Sequence, residues 1–181
     1  FDKHLFECLG QAVADPHSNP EAESRRRGSS GNPHWLAVCD IDHFKQVNDN
    51  FGHLIGDEVL IMLAQVMRQS FRFDDQLFRF GGEEFIALLQ PATEADALAA
   101  LERFRSQVEQ QSFSRVGKIT ASIGFSALRP NDTPTDVIDR ADEALYYAKR
   151  HGRNRVESYE RLIACGELQA KEIAKGEVEL F

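Results

Sequence analysis

The sequence predicts an α/β (α+β) fold, a ferredoxin-like sandwich whose central, mostly antiparallel sheet is flanked by helices. Apolar residues recur at helical spacing in several long segments, with short strand-like runs between them. Two of those runs, Gln76 to Phe80 and Phe85 to Leu89, are separated by Gly81-Gly82-Glu83-Glu84, a hairpin signal because glycine tolerates positive φ. The resulting order, α-β-α-α-β-β-α-β-α-β, sets a hairpin inside a mixed sequence and so argues for helices laid outside a largely antiparallel sheet.

Taken in order, residues 2–14 carry Leu5, Phe6, Leu9 and Val13 at helical spacing. Residues 15–33 are rich in Pro, Ser, Gly, Asn and Arg and are expected to form a mobile loop, with Arg25-Arg26-Arg27 solvated. His34 to Asp40 reads as a buried strand ending in an acid, and a short helix follows from His43. The helix over 54–71 presents Ile55, Val59, Met62, Leu63, Val66 and Met67 as a core stripe. After the hairpin, the helix over 93–111 carries Ala97, Leu98, Leu101, Phe104 and Val108 on one face. Lys118 to Leu128 reads as a strand through Ile119, Ala121, Ile123 and Phe125. Thr133-Pro134 opens a helix over 134–150 that buries Val137, Ile138, Ala141, Ala144, Leu145 and Ala148. Arg155 to Tyr159 is expected as a last strand. The tail 160–181, with Leu162, Ile163, Leu168 and Ile173, is expected to pack on the domain.

At 181 residues the chain is long enough for one domain with a substantial core, and its beginning at Phe1 suggests a piece of a longer protein. The net charge of −8 argues against a general nucleic-acid binder, while leaving room for an anionic small ligand held by local cations. Cys8, Cys39 and Cys165 form neither a zinc pattern nor a disulfide framework, which fits a reducing cytoplasm. No apolar run is long enough to span a bilayer, so no membrane contact is expected of this fragment.

Two acidic clusters carry the chemistry. Glu83 and Glu84 beside a glycine turn fit a divalent cation holding a polyphosphate, and taken alone they also fit a solvated turn. Asp40-Ile41-Asp42-His43-Phe44-Lys45 lies at a strand end, where an Asp also serves as a helix cap. Should the strand end and the hairpin converge, Asp40 and Glu83 would face one another, and a shared Mg²⁺ would remove their repulsion. Asn48 and Asp57 make a guanine reader: a carboxylate accepts from N1–H and the 2-amino group, donors that adenine lacks. Lys149 and Arg153 supply cations after the last long helix, and Lys45 adds another.

The strings DIDHFKQVND, FGHLIGDEVL, FRFGGEEF, ITASIGFS and ADEALYYAKRHGRN resemble, in that order, the GGDEF family of diguanylate cyclases, over roughly residues 36–156. The resemblance implies a cyclase-palm-type sandwich over 1–159, with 160–181 an extension. It implies condensation of two GTP into cyclic di-GMP with loss of two pyrophosphates, between two subunits that face one another as a homodimer. Asp40, the carbonyl of Ile41 and Glu83 would hold Mg²⁺, two ions per site with Mn²⁺ able to serve. Glu84 would hold the second ion or help deprotonate the 3′-hydroxyl; on a regular strand it would point away from Glu83, so both reach one site only from a distorted turn. Phe44, Lys45, Asn48, Asp57, Gly81, Gly82, Lys149 and Arg153 would bind substrate. Arg72-Phe73-Asp74-Asp75 resembles the family's RxxD product-inhibition site, with Arg103 in support.

The family's D-x-L-T segment before the first helix is absent, the 15–33 loop is longer than usual, and the tail beyond about 160 has no placed counterpart. A catalytically silent cyclic di-GMP receptor is the alternative. The presence of Asp40, Glu83 and Glu84 favours the enzyme, and Asn48 with Asp57 argues against an ATP-using palm.

Overall fold

The computed structural model describes residues 3–14, 31–113 and 115–169. Most of the expected 15–33 loop, with its arginine run, and the tail beyond 169 lie outside the described residues. The elements are α1 (Lys3–Ala14), β1 (Trp35–Ile41), α2 (Phe44–Phe51), α3 (His53–Ser70), β2 (Gln76–Gly81), β3 (Glu84–Leu89), α4 (Glu94–Gln110), β4 (Ala121–Ala127), α5 (Pro134–Arg150), β5 (Val156–Ser158) and α6 (Tyr159–Ala164).

The strands form one sheet in the order β2-β3-β1-β4-β5. β1 pairs antiparallel with β3 and with β4, β2 pairs antiparallel with β3, and only β4–β5 is parallel. The ferredoxin-like, mostly antiparallel sheet expected from the sequence is the one observed. β1 is central and buried throughout, as its unbroken apolar run requires of a strand covered on both faces.

Alternation sorts the side chains into two cores. Trp35, Ala37, Cys39 and Ile41 of β1, with Phe85, Ala87, Ile123 and Phe125, pack under α3 and α4. Leu36 and Val38, with Ile86 and Leu88, pack under α1 and α5 through Leu5, Leu9, Val137, Ala141 and Leu145. Helices thus cover both faces, one layer more than a simple two-layer sandwich. On the second face Gly124 brings α5 close: a Cβ there would stand 2.1 Å from the carbonyl oxygen of Ala141 and from the nitrogen of Leu145.

Local signals account for the helix boundaries. Thr133 caps α5 in a full capping box with Asp136, with Pro134 in the first turn. Thr93 caps α4 by accepting from the Asp96 amide. Two details depart from expectation. The named strand β4 begins at Ala121, three residues after Lys118. The last strand ends at Ser158, whose side chain caps α6, so Tyr159 begins a helix; Tyr159 and Leu162 then pack against Ala144 of α5.

Candidate active site

The β2–β3 hairpin closes through a two-residue turn, Gly82-Glu83, between the paired residues Gly81 and Glu84. Gly82 takes φ +45°, the conformation for which glycine is needed, and the ladder is irregular between Arg79 and Gly81. Arg79 fixes the turn by donating to the Gly82 carbonyl from Nε (3.2 Å) and Nη2 (2.9 Å). A Cβ added at Gly81 would meet nothing within 4 Å. Packing therefore does not require a glycine at Gly81, and open space lies over the turn.

Register corrects one expectation. The residue opposite Asp40 across β1–β3 is Glu84, not Glu83. Partners across an antiparallel ladder share a face, so Asp40 and Glu84 stand on the α5 side of the sheet end. Glu83 belongs to the turn, where strand alternation does not apply. This is the distortion that lets neighbouring glutamates serve one place: the charge of Glu83 is felt by both Asp40 and Glu84.

The electrostatics are those of crowded, partly desolvated acids. Burial pushes the Asp40 carboxyl above its usual range; Lys149 pulls it back, while the charges of Glu83 and Asp42 push further. Burial likewise raises Glu84, followed by the charges of Asp40 and Asp142, with Lys149 opposing. Lys149 Nζ lies 2.8 Å from Asp40 Oδ2, so the last turn of α5 delivers its cation directly to the end of β1. Among the described residues no three His, Cys, Asp or Glu side chains form a ready-made metal cluster. The donor set still fits a hard cation: Asp40, Glu83, Glu84 and the Ile41 carbonyl offer oxygen alone at one edge, and their negative charge exceeds what Lys149 offsets.

The expected guanine readers are brought together by the tight α2–α3 junction, where Gly52 takes φ +81°. Asn48 packs against Gly56, the neighbour of Asp57, so closely that a Cβ on Gly56 would lie 2.0 Å from Asn48 Oδ1 and 3.3 Å from Phe44 Cζ. Phe44 is buried beneath them, whereas Lys45 and Asp57 are exposed. Arg153 is exposed in the turn after α5, with φ +61°.

Arg72, Asp75 and Arg103 line one pocket of about 180 Å³, together with Gln90, Asp96 and Ala100. Asp75 is held there by the amides of Arg72 (2.9 Å) and Gln90 (3.0 Å), and Arg103 Nη2 donates to the Ser70 carbonyl at 2.5 Å. The pocket lies at the far end of β2 from the glycine turn, about 20 Å away by strand rise.

Sequence reasoning missed two supporting groups. Arg79 carries no motif signal beyond its place before the turn. Asp42 sits inside the quoted acidic string, but its use is set by distant partners: it is buried and accepts from Thr120 Oγ1 (2.6 Å), Ser122 Oγ (2.7 Å) and the Asn154 amide (3.0 Å).

Comparison with known proteins bears on this arrangement. The family model described as "Diguanylate cyclase, GGDEF domain" matches residues 18–155. Diguanylate cyclase DgcP of Pseudomonas aeruginosa is 43% identical over 171 residues, which is 87% of this chain and 25% of that protein. The chain thus spans about a quarter of that relative's length. Among solved structures, the GGDEF domain of DgcB from Caulobacter crescentus in complex with c-di-GMP is similar at TM-score 0.73 and 36% identity, covering 85% of this chain and 87% of that one. The active GGEEF domain of a diguanylate cyclase from Vibrio cholerae is similar at TM-score 0.72 and 34% identity, covering 87% and 95%. With its hairpin acids, its palm-like sheet and a family match over most of its length, the chain belongs to the GGDEF domain family of diguanylate cyclases.

Proposed function

We propose that this chain is the catalytic domain of a diguanylate cyclase that condenses two GTP into cyclic di-GMP and two pyrophosphates. The observation that carries the reading is the meeting of Asp40, Glu84 and the turn residue Glu83 at one sheet end, with Lys149 of α5 reaching into it.

In this reading Asn48 and Asp57 bind the guanine edge, and Asp57 rejects adenine by losing its donors. Lys149 and Arg153 hold the triphosphate, whose chain crosses the open space over Gly81 and Gly82. Asp40, the Ile41 carbonyl, Glu83 and Glu84 would hold Mg²⁺, which supplies charge neutralisation at the phosphates and eases ionisation of the attacking hydroxyl. The 3′-oxygen of one GTP attacks the α-phosphorus of the other, the bond to the β-phosphate breaks, and pyrophosphate leaves. Glu84 takes the hydroxyl proton, a task suited to a carboxylate raised above its usual range. Lys149 and Arg153 stabilise the charge that gathers on the departing pyrophosphate. The attacking oxygen belongs to a second nucleotide, so two subunits must face one another and the working form is a homodimer. GTP use and three free cysteines fit a cytoplasmic setting; among the described residues no helix is long and apolar enough to cross a membrane.

The pocket around Arg72, Asp75 and Arg103 would bind the product, Arg72 pairing with a phosphate and Asp75 with guanine. The deciding experiment incubates the protein with Mg²⁺ and equal GTP and ATP over a range of protein concentrations and identifies products by chromatography with mass spectrometry. Cyclic di-GMP should form more steeply than linearly in protein, vanish in Glu83→Ala, and escape its own inhibition in Arg72→Ala. Tight cyclic di-GMP binding with no product at any concentration would replace this reading by the receptor one.

A further inference from the structure

The turn after α5 is built in an unusual backbone state. Gly152, Arg153 and Asn154 follow one another with φ of +109°, +61° and +46°. Glycine adopts such angles freely, and asparagine tolerates them, but arginine in this region is strained, so surrounding contacts must hold it. The turn is anchored at both ends. The Arg153 amide donates to the Ala148 carbonyl at 3.0 Å, closing the helix end. The Asn154 amide donates to Asp42 Oδ2 at 3.0 Å. The Asn154 side chain then uses both halves of its amide on α4: Oδ1 accepts from Arg105 Nη1 at 2.7 Å, and Nδ2 donates to Glu109 Oε1 at 2.9 Å. Arg105 is itself fixed by Glu102 and Glu109.

Asp42 is two residues from Asp40 and is locked by Thr120 and Ser122 of the neighbouring chain segment. It therefore ties the strand end that carries the acids to the turn that carries Arg153. We infer that Asn154, with Asp42 behind it, is a positioning residue that holds the left-handed turn and so keeps the Arg153 guanidinium fixed relative to Asp40 and Lys149. The inference rests on the proposed role of Arg153 as a phosphate contact. The fold itself has less need of Asn154: the exposed turn is already closed by the Ala148 carbonyl, and β5 is tied to β4 by its own ladder.

The test is calorimetric binding of guanosine 5′-[α,β-methylene]triphosphate and of GMP, with Mg²⁺, to Arg153→Ala, Asn154→Ala, Asn154→Gly and the Arg153→Ala/Asn154→Ala pair. An ionic hydrogen bond lost to the phosphates weakens the triphosphate about tenfold or more in Arg153→Ala. Asn154→Ala is expected to weaken it about fivefold with GMP affinity unchanged, and the double variant should be no weaker than Arg153→Ala, since two residues acting through one contact are not additive. Asn154→Gly keeps the backbone angle without the amide anchors, folds where alanine is strained, and should show the same selective loss. Wild-type triphosphate affinity in both Asn154 variants, or additive losses, would overturn the inference. Wild-type affinity in Arg153→Ala would overturn the phosphate role beneath it.

Discussion

Replacing Gly124 by alanine tests whether α5 must lie close to the sheet for the site to exist. The added Cβ would stand 2.1 Å from the Ala141 carbonyl oxygen, 2.1 Å from the Leu145 nitrogen and 2.8 Å from the Ala144 carbonyl carbon. All are backbone atoms, so no side-chain rotation relieves the overlap. Ordinary contact begins at 3.4 Å, and in a close-packed interior α5 must therefore retreat by more than about 1 Å. Over-packing of this kind costs about 1–3 kcal/mol, a loss of about 1 M in the urea midpoint at a slope of about 2 kcal/mol per M. Function should suffer more. Lys149 lies one turn beyond Leu145 and meets Asp40 at 2.8 Å, so a rigid helix carries the retreat to the site, where a misplacement of about 1 Å can cost about a hundredfold in rate. The assay is GTP turnover at a temperature where both proteins are fully folded, beside a urea titration. Gly10→Ala on α1, whose Cβ would meet nothing within 4 Å, is the control and should match wild type in rate. A Gly124→Ala protein with wild-type midpoint and rate would refute the claim that this glycine sets the reach of Lys149.

Other outcomes follow from the same geometry. Gly56→Ala should leave stability within about 1 kcal/mol of wild type, because alanine favours the helix, yet its Cβ displaces Asn48 Oδ1; initial rates should show a raised KM for GTP and weaker preference over ATP. Glu84 and Asp40 have folded pKa values above their unfolded ones, so between those values the unfolded chain binds fewer protons and stability falls as pH rises. Glu84→Gln removes one share of that fall: its melting temperature, followed from pH 4 to 8, should decline less than wild type, although GTP turnover is lost. A steeper decline would contradict the crowding of these acids. Thr133→Ala breaks the capping box of α5 and should cost about 1 kcal/mol by urea titration.

What the sequence made legible follows short-range rules. The apolar run Trp35 to Cys39 marked a strand covered on both faces, Thr133-Pro134 marked the start of α5, and Gly81-Gly82 marked the hairpin. The register of that hairpin was not legible. Whether Glu83 or Glu84 faces Asp40 depends on a turn that holds one glutamate outside the ladder and on the irregularity at Arg79–Gly81. Boundaries failed where one element ran into the next, as at Ser158, which ends β5 and caps α6 at once. Long-range partners left no local trace: nothing near Asp42 in the chain announces Thr120, Ser122 or Asn154, and nothing near Gly124 announces α5.

The charge layout leads to a last prediction. An acidic chain must hold a triphosphate, and it does so by separating its charges: carboxylates gather at the ends of β1 and the hairpin, while Lys149 and Arg153 gather at the end of α5. Without ligand, part of that separation collapses, since Lys149 is spent on Asp40. A cation seeking Asp40 must compete with Lys149, and a phosphate seeking Lys149 must take it from Asp40. Each ligand alone therefore breaks one ion pair and leaves a partly desolvated charge behind, whereas both together leave neither. Mg²⁺ and the nucleotide should accordingly bind with positive coupling, and the coupling must be the same measured from either side. Lys149→Met should weaken the nucleotide, strengthen Mg²⁺ binding in its absence, and shrink the coupling. The measurement is calorimetric titration of Mg²⁺ with and without guanosine 5′-[α,β-methylene]triphosphate. Unchanged Mg²⁺ affinity in ligand-free Lys149→Met would show that Lys149 does not guard Asp40, because the competing cation would then have been removed without effect.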